Sequence, residues 1–140
     1  MRAVQETRFE YKEYPCVVLF MPWGYRCGYV GLTKEDQYYY VDYDDIPIDC
    51  HGGLTYSDNR LYGQSDLNKW WIGFDCGHCF DGYDFEKIKE CFGDDKEIME
   101  VLRFTKEYKQ RVTEEYGFRT LEYCVNECKS IVDQILGDKE

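Results

Sequence analysis

Cys16-Val17-Val18-Leu19-Phe20-Met21-Pro22-Trp23-Gly24-Tyr25-Arg26-Cys27-Gly28-Tyr29-Val30-Gly31 decides the fold. Its first five residues are an apolar run of strand length, Met21 to Gly24 is a turn, and Tyr25 to Gly31 is a second strand. Upstream, Arg8-Phe-Glu-Tyr-Lys-Glu-Tyr14 alternates aromatic and charged residues, the period of two expected of a half-buried strand, and Pro15 is expected to break it. Connections this short force antiparallel neighbours, because a parallel pair needs a long crossover.

Beyond Gly31 the chain turns acidic and tyrosine-rich from Thr33 to Asp49, which predicts an exposed excursion with one edge strand. Cys50-His51-Gly52-Gly53-Leu54-Thr55-Tyr56 resumes strand character, and Ser57 to Asn68 is a polar loop. Trp70-Trp71-Ile72-Gly73-Phe74 is the best candidate for a central strand, and Asp75 to Gly82 is a glycine- and aspartate-rich loop. After Gly82 the period changes to about 3.6. Ile98, Val101, Leu102, Thr105, Tyr108 and Val112 share one helical face, with Asp94 or Asp95 as N-cap. Leu121, Cys124, Val125, Cys128, Ile131, Val132 and Ile135 form the stripe of a second helix, approached through Glu115 to Arg119 and ended by Gly137. The expectation is a single α+β domain over 1–140: an N-terminal antiparallel β-sheet over residues 1–82, followed by two C-terminal α-helices over 83–140.

With 140 residues, 44% of them hydrophobic, the chain can bury one core. Met1 to Lys12 lacks the apolar stretch that export requires. No apolar run approaches the roughly 20 residues needed to span a bilayer. The eight cysteines are therefore expected to be reduced thiols in a cytoplasmic protein. A net charge of −11 argues against duplex DNA as a partner, but arginines focused in a pocket can still hold a small anion.

Cys76-Gly77-His78-Cys79 reproduces a redox-pair motif, yet strands and helices here are segregated rather than alternating, and Phe80-Asp81-Gly82 cannot open a long helix. A zinc site from Cys76 and Cys79 with Cys50, His51 or His78 lacks a second half-site of matching spacing, so buried thiols are the simpler expectation. His51 and His78, the two histidines, fit structural hydrogen bonding better than general-base work, and no serine stands in a nucleophile elbow. No metal site or catalytic constellation is expected. Anion binding has more support. Arg119 and Thr120, in Tyr116-Gly117-Phe118-Arg119-Thr120, are expected in the first turn of the last helix, where free N–H groups and the helix dipole favour a phosphate. Arg26, on a strand edge, is a second candidate.

Three segments, Tyr14 to Val18 with Gly24 to Gly31, His51 to Ser57, and Trp70 to His78, together with Arg119-Thr120-Leu121-Glu122-Tyr123 and Glu127 to Gln134, resemble small phage-encoded proteins of the Thoeris anti-defense 1 family. The resemblance covers most of the chain. It implies a sheet followed by two helices and a sponge activity rather than catalysis: capture, without cleavage and without a cofactor, of the glycocyclic ADP-ribose signals of TIR-domain enzymes. It further implies that cyclic di- or trinucleotides of CBASS can be held, and that the protein assembles as a dimer or hexamer through the C-terminal helix. On that resemblance Arg119 and Thr120 would grip phosphates, and Phe20, Trp23 or Phe118 would stack on adenine. The alternative is a small zinc- or thiol-dependent enzyme using Cys76 and Cys79. A third reading is an acidic decoy that binds protein.

Overall fold

Alternation along Val4–Tyr11 (β1) and the apolar run Tyr14–Phe20 (β2) give a hairpin whose turn is Lys12-Glu13, both at positive φ (49° and 73°). The structure, a computed structural model, describes residues 2–61, 64–65 and 68–138. Pro15 lies inside β2 and does not break the strand as expected. It pairs with Glu10 of β1, while pairing to the next strand, Arg26–Leu32 (β3), begins only at Cys16. The missing N–H of the proline thus falls where no second neighbour requires it.

The turn Met21–Gly24 forms as expected, with Gly24 at φ 103° and Met21 N–H donating to Tyr25 O at 2.8 Å. The central strand is Trp70–Asp75, labelled β7, antiparallel to β3, and Tyr56–Asp58 (β4) closes the far edge. The five-stranded order is β1-β2-β3-β7-β4. Strand pairing in the 50–56 region therefore starts later than expected, at Tyr56. The supposed polar loop contains β4 and a small hairpin of Arg60–Leu61 (β5) and Gln64–Ser65 (β6).

No strand forms between Thr33 and Asp49; that segment is turns and a 3-10 helix at Tyr43–Asp45 capped by Asp42. It is tied down rather than loose. Ile46 and Ile48 are buried, Trp70 Nε1 donates to Val41 O at 2.8 Å, and Tyr40 stacks on Trp70.

An additional short helix, Phe85–Phe92 (α1), precedes the two expected ones and is capped by Asp84. Asp95, one of the two expected caps, accepts from Ile98 N at the start of Lys96–Tyr116 (α2). Leu121–Asp138 (α3) follows, and Gly137 lies inside it rather than ending it. All three helices cover one face of the sheet. Cys124, Cys128, Ile131, Val132 and Ile135 of α3 are fully buried against Cys16, Val18, Val30, Ile72 and Phe74. Gly28 sets how near α3 can come, because a Cβ there would meet the Phe74 ring at 2.5 Å and Cys128 Sγ at 3.0 Å. Phe20 packs with Ile88, Phe92, Ile98 and Leu102 under α1 and α2. The opposite face carries Val17, Leu19, Tyr29, Tyr56 and Trp71. Among the described residues, no helix is long and apolar enough to cross a membrane.

The inner face of α2 is rotated from the expected one. Ile98, Leu102 and Lys109 point inward, whereas Val101, Phe104 and Tyr108 are exposed, Phe104 by 78%. Lys109 Nζ donates to Trp23 O at 3.2 Å and lies over the Tyr83 ring, and its burial lowers its pKa.

One buried ion cluster joins the layers. Between Gln5 and Thr7 the β1–β2 register shifts by one residue, so Glu6 is the extra residue of a bulge. Glu6 meets Arg26 at 2.5 Å (Oε1 to Nε) and 3.3 Å (Oε2 to Nη2), and Asp84 meets Arg26 Nη2 at 3.0 Å. Burial works against charge on Arg26, but the two carboxylates outweigh it and hold the guanidinium protonated. Arg26→Ala would leave Glu6 with only Lys87, 3.6 Å away, and Asp84 without its ion pair, and is expected to lower the unfolding free energy by roughly 3–5 kcal/mol. Urea unfolding monitored by circular dichroism checks this.

Candidate functional site

Three loops converge where the sheet meets the start of α3. The segment before β4 supplies His51, the loop after β7 supplies His78, Phe80 and Asp81, and the α2–α3 connection supplies Phe118 and Arg119. Thr55 N–H donates to Gly73 O at 2.9 Å and so lays the first loop along β7, and Gly82 N–H donates to Gly117 O at 2.7 Å and so locks the second loop to the third.

Asp81 is the hub. It is 1% exposed and accepts from His51 Nε2 (2.8 and 2.9 Å to its two oxygens), from the His78 backbone N–H at 3.0 Å, and from Arg119 Nε at 3.1 Å. His78 Nδ1 stands 3.2 Å away. Burial alone would raise the pKa of Asp81, but the His51 contact, the His78 N–H and Arg119 together hold it below the ordinary carboxylate value. On its other side His51 Nδ1 meets the Tyr123 hydroxyl at 2.8 Å, and its backbone N–H donates to Glu127 Oε1 at 2.7 Å. The Tyr123 phenol is pushed up by burial and by the nearby Glu127. His78 stacks on Phe80 with centroids 5.3 Å apart.

The arginine and its neighbours sit just before α3 rather than in its first turn. Thr120 is the N-cap: its Oγ1 accepts from Tyr123 N at 3.1 Å, so the hydroxyl is occupied by the helix. Arg119 lies over the Tyr123 ring, its carbonyl accepts from Arg26 Nη1 at 3.1 Å, and its two terminal nitrogens have no partner among the described residues. Phe118 is 39% exposed beside it.

The other expected site residues are elsewhere. Arg26 is 5% exposed and its donors are spent on Glu6, Asp84 and the Arg119 carbonyl, so it supports Arg119 from behind and offers nothing outward. Phe20 is fully buried, stacked with Phe92 and under the Arg26 guanidinium, leaving no ring face for adenine. Trp23 is exposed on the β2–β3 turn, where its carbonyl accepts from Lys109. The open depression on the α3 side of His51 is lined by Asp49 and Glu127 as well as Cys50, Ser130 and Gln134, and its carboxylates repel anions.

All eight cysteines are free. Cys76 is buried with its Sγ 3.7 Å from Cys124 Sγ, and that contact together with burial pushes its thiol far up, while Cys79 is exposed. Cys27 and Cys50 are each pushed up to about 12, chiefly by burial. The settings of Cys76, Cys27 and Cys50 all work against a thiolate.

No protein-family model matches the chain, and neither a curated protein nor a solved structure matches it. The site is therefore read from its chemistry: a buried carboxylate clamped by two imidazoles and an arginine, with one cationic fork facing out beside exposed rings.

Because the folded pKa of Asp81 lies below its unfolded value, its contribution is fully present above about pH 3.9 and is lost as the pH falls through the folded value. Asp81→Asn is expected to cost roughly 3–5 kcal/mol at neutral pH. The gap between variant and wild type should narrow in acid below about pH 3.9. Urea titrations across the acid range measure it.

Proposed function

We propose that this protein is a nucleotide sponge: it binds a small cyclic nucleotide signal of the glycocyclic ADP-ribose or cyclic oligonucleotide class and withholds it, uncleaved, from the immune effector that the signal would activate. The observation that carries this reading is the Arg119 guanidinium, whose Nε is fixed on Asp81 while its side chain stays 28% exposed and its terminal nitrogens meet no hydrogen-bond partner among the described residues. A guanidinium in that state matches two phosphate oxygens at once. Phe118, the preceding residue, and Phe80, on the loop tied to it by the Gly82 to Gly117 hydrogen bond, are both 39% exposed and offer ring surface for a base. Sequestration also suits Asp81, whose oxygens are already taken by protein donors. A thiol-dependent enzyme using Cys76 and Cys79 is disfavoured by the contact that holds Cys76 against Cys124. In this reading the protein acts in the bacterial host cytosol, on signals released there.

Self-association belongs to the same proposal, and its place is α2 rather than α3. The apolar stripe of α3 is consumed by the sheet, whereas Val101, Phe104 and Tyr108 lie exposed along one line of α2. An antiparallel pair centred on Phe104 would set Glu97 of one copy near Arg111 of the other, seven residues to either side.

A nucleotide thermal-shift panel tests binding. Ligand at 100 times Kd should stabilise the wild type by about 2.7 kcal/mol, and Arg119→Ala should abolish the shift while keeping the Arg26 contact to its backbone carbonyl. Heating the complex should return the nucleotide intact; a flat panel, or recovery of a cleaved product, would sink the idea. For assembly, Phe104→Glu is expected to reduce the mass measured by light scattering to that of the monomer.

A further inference from the structure

His51 Nε2, His78 Nδ1 and an Asp81 carboxylate oxygen lie within 4.8 Å of one another. We propose that these three groups bind one divalent transition-metal ion of the zinc class, leaving a coordination position open beside Arg119. The donor set is right for such an ion. Two imidazoles and a carboxylate suit zinc and its neighbours, where calcium or magnesium would call for oxygen alone.

The spacing is close to what an ion needs. Asp81 Oδ2 is 2.9 Å from His51 Nε2 and 3.2 Å from His78 Nδ1. Bonds of 2.0–2.1 Å in a tetrahedron set ligand-to-ligand edges of about 3.3–3.4 Å. These two edges need to lengthen by only a few tenths of an ångström, and the edge between the two imidazoles, within 4.8 Å, must settle to the same length, with the ion taking the place of the protons the groups now share.

Each ligand is held by a partner outside the set. Tyr123 hydroxyl lies on His51 Nδ1, the nitrogen that does not face the cluster, so when Nδ1 carries the proton the lone pair of Nε2 points inward. Arg119 Nε engages Asp81 Oδ1 and the His78 backbone N–H engages Oδ2, which keeps its second lone pair for the ion. His78 is gripped between Phe80 and the backbone of Gly52, where φ is +68° and a Cβ would stand 2.2 Å from the imidazole Cε1, so only glycine leaves room for the ring.

Charge and exposure place the open position. A dication with one carboxylate keeps a positive charge, Arg119 adds another, and the remaining ligand is therefore water, hydroxide or an anion. Asp81 and His51 side chains are 0% and 5% exposed, His78 and Arg119 25% and 28%, so the outer ligand enters on the His78 and Arg119 side. Only the identity of that outer ligand rests on the nucleotide reading; the ion itself does not. Among the described residues no cysteine belongs to the group, and Cys76 is turned to Cys124.

The test uses full-length protein stripped with chelator and titrated by calorimetry with zinc alone, no nucleotide present, and with cobalt for its visible spectrum. The expected result is one equivalent bound, a cobalt spectrum of nitrogen and oxygen ligation, and at least a tenfold loss of affinity in both Asp81→Asn and His78→Ala. The partly exposed His78 keeps the experiment decisive if Asp81→Asn fails to fold. The double variant Cys76→Ser/Cys79→Ser should bind zinc like the wild type. No saturable zinc uptake by the wild type, unchanged affinity in a folded His78→Ala, or a thiolate-to-cobalt charge-transfer band would overturn the assignment.

Discussion

The edge strand, the first helix and the approach to the last one are all tied to one guanidinium. Arg26 stands at the start of β3 and takes Glu6 from β1, Asp84 from the cap of α1 and the carbonyl of Arg119 from the approach to α3. A charge this deeply buried is tolerated only because two carboxylates and a carbonyl meet it. The bulge at Glu6 is part of the same arrangement. Without the extra residue, period-two alternation would carry that carboxylate toward a different face of β1. Asp84 serves twice, since it also accepts from Lys87 N to start α1.

A second buried charge repeats the logic with the sign reversed. Asp81 gathers cationic and neutral donors from loops that no strand pairing links directly. The two clusters share Arg119, whose carbonyl belongs to the first and whose guanidinium belongs to the second. Sheet geometry thereby reaches the outward-facing part of the molecule through one residue.

Much of this fold was legible in the sequence. The strand–turn–strand run, the central Trp70 strand and the α3 stripe are periodic, and periodicity reports burial on one face. What was missed has physical reasons. Glu6 lies outside the expected Arg8–Tyr14 strand, and the phase shift at the bulge falls among the polar residues Gln5, Glu6 and Thr7, where apolar alternation carries no signal. Pro15 looked like a break because the sequence does not say where β3 pairing begins. On α2, both the Ile98, Leu102, Thr105 line and the Val101, Phe104, Tyr108 line are rich in apolar residues, and the long stem of Lys109 can be buried as a hydrocarbon. Of the candidate site, Arg119 and Thr120 were expected in the first turn of the last helix, one step too far in, because the sequence does not mark which residue is its cap: Thr120 is the N-cap and Arg119 precedes it. His51 and Asp81 were not linked, since they lie 30 residues apart and meet only after the 50–56 segment settles along β7. Asp81 itself carried only a loop signal. Its neighbours Asp75 and Asp84 have the same composition around them and different fates.

The double hold on Arg119 has a thermodynamic consequence. A free arginine side chain surrenders about 2 kcal/mol of rotamer entropy when it is immobilised on a partner. Here the backbone is set by Arg26, the Nε by Asp81 and the plane of the fork by the Tyr123 ring, so most of that freedom is already gone when the chain folds. On the sponge proposal, an anion arriving at the terminal nitrogens would meet a preorganised receptor, and the free energy of its two hydrogen bonds would go into retention, lengthening the lifetime of the complex.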